Sequence, residues 1–424
     1  MTNWKEYKLG EICGKIGSGA TPRGGGDTYL DSGEYALIRS QNVLDFSFSY
    51  NGLAYISEEQ AKKLNNVTLE ENDILLNITG DSVARICEVP ANLIPARVNQ
   101  HVAIIRPNKK ILRYDFLKYY LLNPIFKEHL IMLSSSGATR NAITKGMIEN
   151  LTVFLPPLPT QTAIAEILSS LDDKIELNNK INQELENLAQ TLFKQWFIDF
   201  EFPNQNGEPY KSSGGEMVDS ELGEIPKGWE VGNLNHIAEL NKKNIKPFES
   251  AKTVFNLYSL PEFDTGKVPS QELGETILSS KYQVLKHSIL VSKLNPRIPR
   301  IWTIINPNNN AICSTEFQVL KAKIDTYFPF VNSLCSSEKY ISSLQSKVTG
   351  TSSSHQRVNP NDIINYEMIL PSIEKVNSFY ITIYDSLLLI DDNKKENLEL
   401  TNLRDTLLPK LIAGELEVSE VKEG

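Results

Sequence analysis

The sequence predicts an α+β protein. Two similar globular α/β domains are joined by two long antiparallel coiled-coil helices, related by an internal pseudo-two-fold repeat. The first observation behind this reading is a ladder in residues 160–198. Alternating steps of four and three from Ile164 reach Leu168, Leu171, Ile175, Asn178, Asn182, Leu185, Ala189, Leu192 and Trp196. That is a heptad seam with two asparagines at its centre. The second observation is that the ladder recurs 215 residues later as Phe379, Ile383, Ser386, Ile390, Asn393, Asn397, Leu400, Arg404, Leu407 and Leu411, with both asparagines in register. The third is that each ladder follows a globular stretch of its own.

A helix of this span is about 58 Å long at about 1.5 Å per residue. It cannot bury its seam alone, and its own repeat is the nearest partner. Two copies related by a two-fold axis across the helices run antiparallel, with a domain at each end. An axis near position 180 sets Asn178 opposite Asn397 and Asn182 opposite Asn393. Buried asparagines fix register at some cost in stability, so these four are the candidate register residues. The alternative is a pair of ordinary amphipathic helices with incidental asparagines.

Boundaries follow from composition. Domain 1 covers residues 1–157, the first spacer helix 158–200, a linker 201–228, domain 2 229–371, the second spacer helix 372–414 and an acidic tail 415–424. The glycines from Gly17 to Gly26, with Pro22, form an exposed loop. That loop lacks the patterns of a P-loop or a dinucleotide site. Residues 35–43 read as a buried strand ending in the long polar side chains Arg39, Gln41 and Asn42. Further strands are expected at 72–80, 84–89 and 99–107, a helix from about Tyr114 to Leu133, and a strand at 151–159 stopped by prolines. Thr160 is the expected N-cap of the first spacer helix. The linker is polar, with glycine and proline throughout.

The pattern then restarts. Trp4, Leu9 and Ile12 reappear as Trp229, Leu234 and Ile237, Arg85-Ile86 as Arg300-Ile301, and VFLPP as MILPS. The helices keep their pattern between copies while the globular parts keep only scattered positions. Whatever the helices do is done twice in the same way; whatever the domains do is done to two different things.

The formal net charge is −9, which by itself argues against nucleic acid. Its distribution removes that objection. Residues 1–160 hold 17 basic and 16 acidic side chains and residues 229–371 hold 15 and 12, whereas 161–228 hold 5 and 13 and 372–424 hold 6 and 11. The acid sits on the helices and linker. DNA needs only a local basic patch, so it remains open. The four cysteines are scattered and read as reduced structural thiols. No apolar run approaches the roughly 20 residues of a membrane span, and the N-terminus lacks a signal-peptide pattern, so a cytoplasmic protein is expected.

No catalytic set is present in the sequence. There is no amino-methyltransferase motif, no Walker A and no nuclease carboxylate–lysine set. His101, His129, His236, His287 and His355 lack metal-ligand spacing. His101, within an apolar strand, reads as a satisfied interior histidine. No metal site is expected.

Over nearly its whole length the chain resembles the specificity subunits of Type I restriction–modification systems. The likeness is carried by GATRNAITKGMIENLTVFLPPLPTQ, IAEILSSLDDKIELNNKINQELENLAQTLFKQWF, the segment PYKSSGGEMVDSELGEIPKGWE, and CSTEFQVLK, in that order. The resemblance implies two target-recognition domains, each reading one half of a split double-stranded DNA sequence. The helices would set the gap and dock two methyltransferase subunits, and restriction/translocase subunits would complete the complex. S-adenosylmethionine, ATP and Mg would then sit on the partner subunits, with no cofactor on this chain. The remaining alternative is a coiled-coil assembly scaffold without specific DNA binding.

Arginine reads guanine, and asparagine or glutamine reads adenine. By residue type and placement the DNA-contacting candidates in domain 1 are Thr21, Arg23, Arg39, Gln41, Asn42, Thr79, Arg85, Arg140 and Asn141. In domain 2 they are Lys293, Asn295, Arg297, Arg300, His355, Gln356 and Arg357. For each, the competing reading is a solvated surface residue or an internal ion pair. One departure stands out: Ser386 and Arg404 occupy seam positions where the first copy has Leu171 and Ala189, and Pro409 falls where it has Lys194. Docking at the two ends is therefore expected to be unequal.

Overall fold

The structure is a computed structural model and describes residues 4–135, 142–348 and 356–418. The chain forms two compact units. The first is residues 1–177 with 396–424, and the second is 178–395. Two long helices, Leu158–Phe197 and Ile373–Ala413, each give one half to each unit. Their starts lie at the same offset as the sequence ladders. Arg140, Asn141 and His355 lie outside the described residues.

The first unit contains β1 (Lys5–Lys8), β2 (Cys13–Ser18), β3 (Tyr35–Ile38), β4 (Ala54–Ile56), β5 (Ile74–Asn77), β6 (Ile86–Glu88), β7 (Ala96–Val98), β8 (Val102–Pro107) and β9 (Thr152–Leu155). An antiparallel sheet in the order β2-β8-β5-β6 forms its middle layer, and a smaller sheet, β4-β3-β7, lies beside it. Side chains alternate between faces along a strand. Ile74 and Leu76 accordingly join the core against the helices, while Leu75 joins the core against the smaller sheet. A layer covered on both faces needs apolar residues on both sides of its strands, which is why β5 is apolar up to Asn77 and β8 is apolar up to Arg106.

One helix is expected from Tyr114 to Leu133, but two are found, Tyr114–Leu122 and Pro124–Ser135. Pro124 disfavours a helical conformation at Asn123, so the chain turns there and restarts with proline in the first turn. The same physics corrects the start of the first long helix. It begins at Leu158 rather than after Thr160, because the N–H that Pro159 lacks has no partner in a first turn anyway.

The second unit repeats the plan with β10 (Met217–Ser220), β11 (Gly223–Pro226), β12 (Glu230–Asn233), β13 (Ala238–Asn241), β14 (Asn244–Ile245), β15 (Val254–Tyr258), β16 (Ser270–Leu273), β17 (Lys281–Gln283), β18 (Ser288–Ser292), β19 (Ile301–Ile304), β20 (Ala311–Cys313), β21 (Phe317–Ala322) and β22 (Glu367–Leu370). The sheet β13-β21-β18-β19 matches β2-β8-β5-β6, and β14-β17-β20-β15-β16 is the enlarged second sheet. Residues 201–228, expected as a linker, are folded. They form the hairpin β10–β11, and Phe202 stacks between Tyr210 and Trp229 at centroid distances of 4.5 and 5.1 Å. Aromatics spaced irregularly among polar residues carry no periodic signal, so the sequence reads as polar where the fold is packed.

Within each unit the two helix halves pack antiparallel. In the first, Ile164 and Leu168 share a core with Leu408, Leu411 and Ile412. In the second, Phe193, Trp196 and Phe197 surround Phe379, and the amide of Asn393 donates to Oδ1 of Asn182 over 2.8 Å. Asn178 is buried and Asn397 half-buried. Arg404 on the seam is satisfied by Asp172, whose Oδ1 lies 2.8 Å from Nη1. The second helix continues through Pro409 to Ala413, and Gly414 ends it at a φ of 66°. Among the described residues no helix is long and apolar enough to cross a membrane.

Candidate nucleic-acid interface

In the first unit, strand direction gathers polar side chains at one edge. β2 and β5 both run antiparallel to β8, with Ser18 opposite Ala103 and Asn77 opposite Val102. Their C-terminal ends therefore meet the start of β8. β3 and β7 are parallel, with Ile38 opposite Val98, so their C-terminal ends coincide. Two backbone bonds tie the groups together: Asn99 N–H donates to Ile38 O and Gly19 N–H donates to Asn99 O, each over 3.0 Å. Gly19 is required here, because a Cβ would overlap the Val98 carbonyl oxygen.

This convergence brings Thr21 and Thr79 to the loop 99–101, and Arg39 directly follows the Ile38 whose carbonyl Asn99 engages. The Thr21 hydroxyl donates to Gln100 Oε1. Gln100 Nε2 lies 2.9 Å from His101 Nε2, and His101 Nδ1 lies 2.6 Å from Thr79 Oγ1. The network joins two expected site residues through two that were not expected. His101 is half-buried at this edge rather than interior. The available signal was the polar tripeptide Asn99-Gln100-His101 between two buried strands, a turn that must face outward.

Arg39 and Gln41 both donate to the carbonyl of Gly52, Gln41 over 3.1 Å, and the Arg39 guanidinium lies 5.3 Å from the centre of the Tyr29 ring. A Cβ at Gly52 would meet Gln41 Nε2 at 2.6 Å. Asn42 is a correction. It is fully buried, its amide donates to Ser49 O over 2.9 Å and its Oδ1 accepts from Arg39 N–H over 3.0 Å, so it holds the loop and faces no ligand. Arg23 and Arg85 are exposed, and neither forms an ion pair among the described residues.

The second unit builds the same edge from the corresponding strands. β13 and β18 end against the start of β21, with Ser292 opposite Phe317, and β15 and β20 end together with Tyr258 opposite Cys313. Lys293 and Asn295 follow β18. Lys293 N–H donates to Glu316 O over 2.9 Å and Asn295 N–H to Gln356 O over 2.8 Å. Asn295 Oδ1 and Gln356 Oε1 are buried without a hydrogen-bond partner. Arg297 is exposed on the turn beyond them.

Two arginines are engaged from within. Arg357 makes a paired contact to Glu316 at 3.1 and 3.2 Å. Arg300 makes one to Asp264 at 2.8 Å through both Nε and Nη2, and this hydrogen-bonded guanidinium holds the Asp264 carboxyl below its usual range. Free guanidinium groups are therefore not what these two positions offer. Arg85 and Arg300 occupy equivalent places before β6 and β19 yet differ in this respect. No cluster of histidine, cysteine and carboxylate able to hold a metal occurs among the described residues.

Comparison with known proteins gives one direction. Residues 1–187 match the family model of the Type I restriction modification DNA specificity domain. The specificity subunit of the Type I restriction enzyme HindI from Haemophilus influenzae is 26% identical over 98% of this chain and 100% of its own length. The MjaIX specificity subunit from Methanocaldococcus jannaschii is 27% identical over 99% and 95%. Among solved structures, the S subunit of a Type I system from M. genitalium covers 96% of both chains at a TM-score of 0.58 and 16% identity, a likeness of fold.

Proposed function

We propose that the chain is a member of the specificity-subunit family of Type I restriction–modification systems, a reading its likeness to that family supports, and that it reads a split and asymmetric DNA target. The chain supplies DNA sequence recognition and no catalysis. In this reading each domain takes one half-site and the long helices dock methyltransferase subunits. S-adenosylmethionine, ATP and Mg belong to partner subunits in the cytoplasm.

The observation that carries the reading is the repeated edge. Both units place C-terminal strand ends around the start of a central strand, so the scaffold is the same. The side chains on it differ, with Thr21, Arg39, Gln41 and Thr79 in one and Lys293, Asn295, Arg297 and Gln356 in the other. Like frames with unlike polar edges suit two different half-sites, because base edges are told apart by donor and acceptor pattern. Phosphate contacts from Arg23 and Arg85 would position without specifying.

The test is to map the methylated bases in a genome that carries the chain with its methyltransferase partner. A two-part sequence with a constant unread gap is the expected result. Methylation that ignores sequence, or a gel shift of the complex that is equal on all duplexes, favours an assembly scaffold instead.

A further inference from the structure

The two units differ at one equivalent place, and the difference concerns the first unit's reading loop. Residues 40–51 carry Gln41 at one end and fold back so that Asn42 bonds Ser49 O and Gly52 receives Arg39 and Gln41. The tip of this loop is Phe46. It adopts a left-handed backbone at φ 64°, which a bulky residue rarely takes unless its surroundings enforce it. Its N–H donates to Ile86 O over 3.1 Å, and the neighbouring Asp45 is paired with Lys127. On its ring lies the Arg404 guanidinium, 3.5 Å from the centroid.

Arg404 is itself locked. Nη1 donates to Asp172 Oδ1 over 2.8 Å, Nε and Nη2 donate to Asp405, and the other Asp172 oxygen accepts from the buried Tyr119 hydroxyl over 2.7 Å. A contact path thus runs from the helix seam through Arg404 and Phe46 into the loop that holds Arg39 and Gln41. In the second unit the corresponding helix position is Ala189. No arginine can reach out there, and Ala189 instead lines a cavity of about 230 Å³ beside Trp302 and Leu387.

We infer that Arg404 is a positioning residue for recognition by domain 1: it sets the loop bearing Arg39 and Gln41 against the helices through Phe46, and the equivalent Ala189 supplies no such clamp to domain 2. The inference rests on the proposed reading of one half-site per domain. It makes the fidelity of one half-site, and only one, depend on a residue of the second spacer helix.

The experiment uses the full chain in complex with its methyltransferase partner. Methylation rates are measured on duplexes with single-base changes in either half-site of the mapped target, for wild type, Arg404→Gln, Phe46→Leu and the double variant. Discrimination at the domain 1 half-site should fall about tenfold, a typical coupling effect. Discrimination at the other half-site should stay at the wild-type level. The double variant should be no worse than either single one, because both break the same contact. Arg404→Lys keeps the charge but not the flat stack on Phe46, so it should fold and still relax the domain 1 half-site. Equal losses at both half-sites, as from general loosening of the helices, overturn the inference, as does unchanged discrimination in folded variants. Wild-type methylation without any sequence preference would instead defeat the reading beneath it.

Discussion

Asn393 donates its side-chain amide to Oδ1 of Asn182 across 2.8 Å, and both residues are buried. They stand at different steps of the repeated ladder, one in each copy, and meet because the helix halves of that unit run antiparallel. Removing one partner strands a buried amide. Asn182→Leu should therefore destabilise by about 1–3 kcal/mol, whereas Asn182→Leu with Asn393→Leu should recover much of that loss. Thermal unfolding of the four proteins in the cycle measures the coupling. A double variant as unstable as the summed singles contradicts it.

Gly19 sits where the Val98 carbonyl leaves no room for a Cβ. Gly19→Ala should push the glycine loop away from Asn99 and break the Thr21–Gln100 contact, at a cost of about 1–3 kcal/mol, as for overpacking. DNA affinity should fall with it. Gly17→Ala, at a position with open space, is the control and should be close to neutral.

Arg23 and Arg85 are exposed and unpaired by carboxylates among the described residues. Arg85→Ala should weaken binding to matched and mismatched duplexes alike and lower the salt slope by about 0.9 for one lost phosphate contact. Gln41→Ala should instead alter discrimination within one half-site. Binding isotherms at three salt concentrations separate the two behaviours.

The His287 imidazole is buried against Phe328, with Nε2 2.8 Å from the Tyr384 hydroxyl and Nδ1 3.2 Å from Asp325. Burial lowers its pKa, against the smaller opposing pull of Asp325. The unfolded chain therefore takes up a proton first as pH falls through about 6.5, and stability declines from there until the folded histidine also titrates. Melting temperature between pH 7.5 and 5.5 should fall less steeply in His287→Gln. An unchanged slope would show that other groups set the acid response.

The helices and the repeat are legible in the sequence because both are periodic. A seam at heptad spacing and a constant offset survive even where Arg404 replaces an apolar residue. Buried strands are legible for the same reason, since β5 and β8 are apolar on both faces. The edges are only half legible. Exposed loops announce polar side chains but not their partners, so Asn42, Arg300 and Arg357 look available although Ser49, Asp264 and Glu316 engage them. Gln100 escapes notice because its role arises from β7 and β8 ending and starting at the same edge. Such juxtaposition is a property of topology, and no local pattern encodes it.

Exchange of residues 1–157 for the corresponding domain of a related specificity subunit, followed by mapping of the methylated bases, tests the proposed modular recognition most directly. One half of the target should change, while the other half and the gap stay as they were. A change in both halves, or in the gap alone, contradicts one domain reading one half-site.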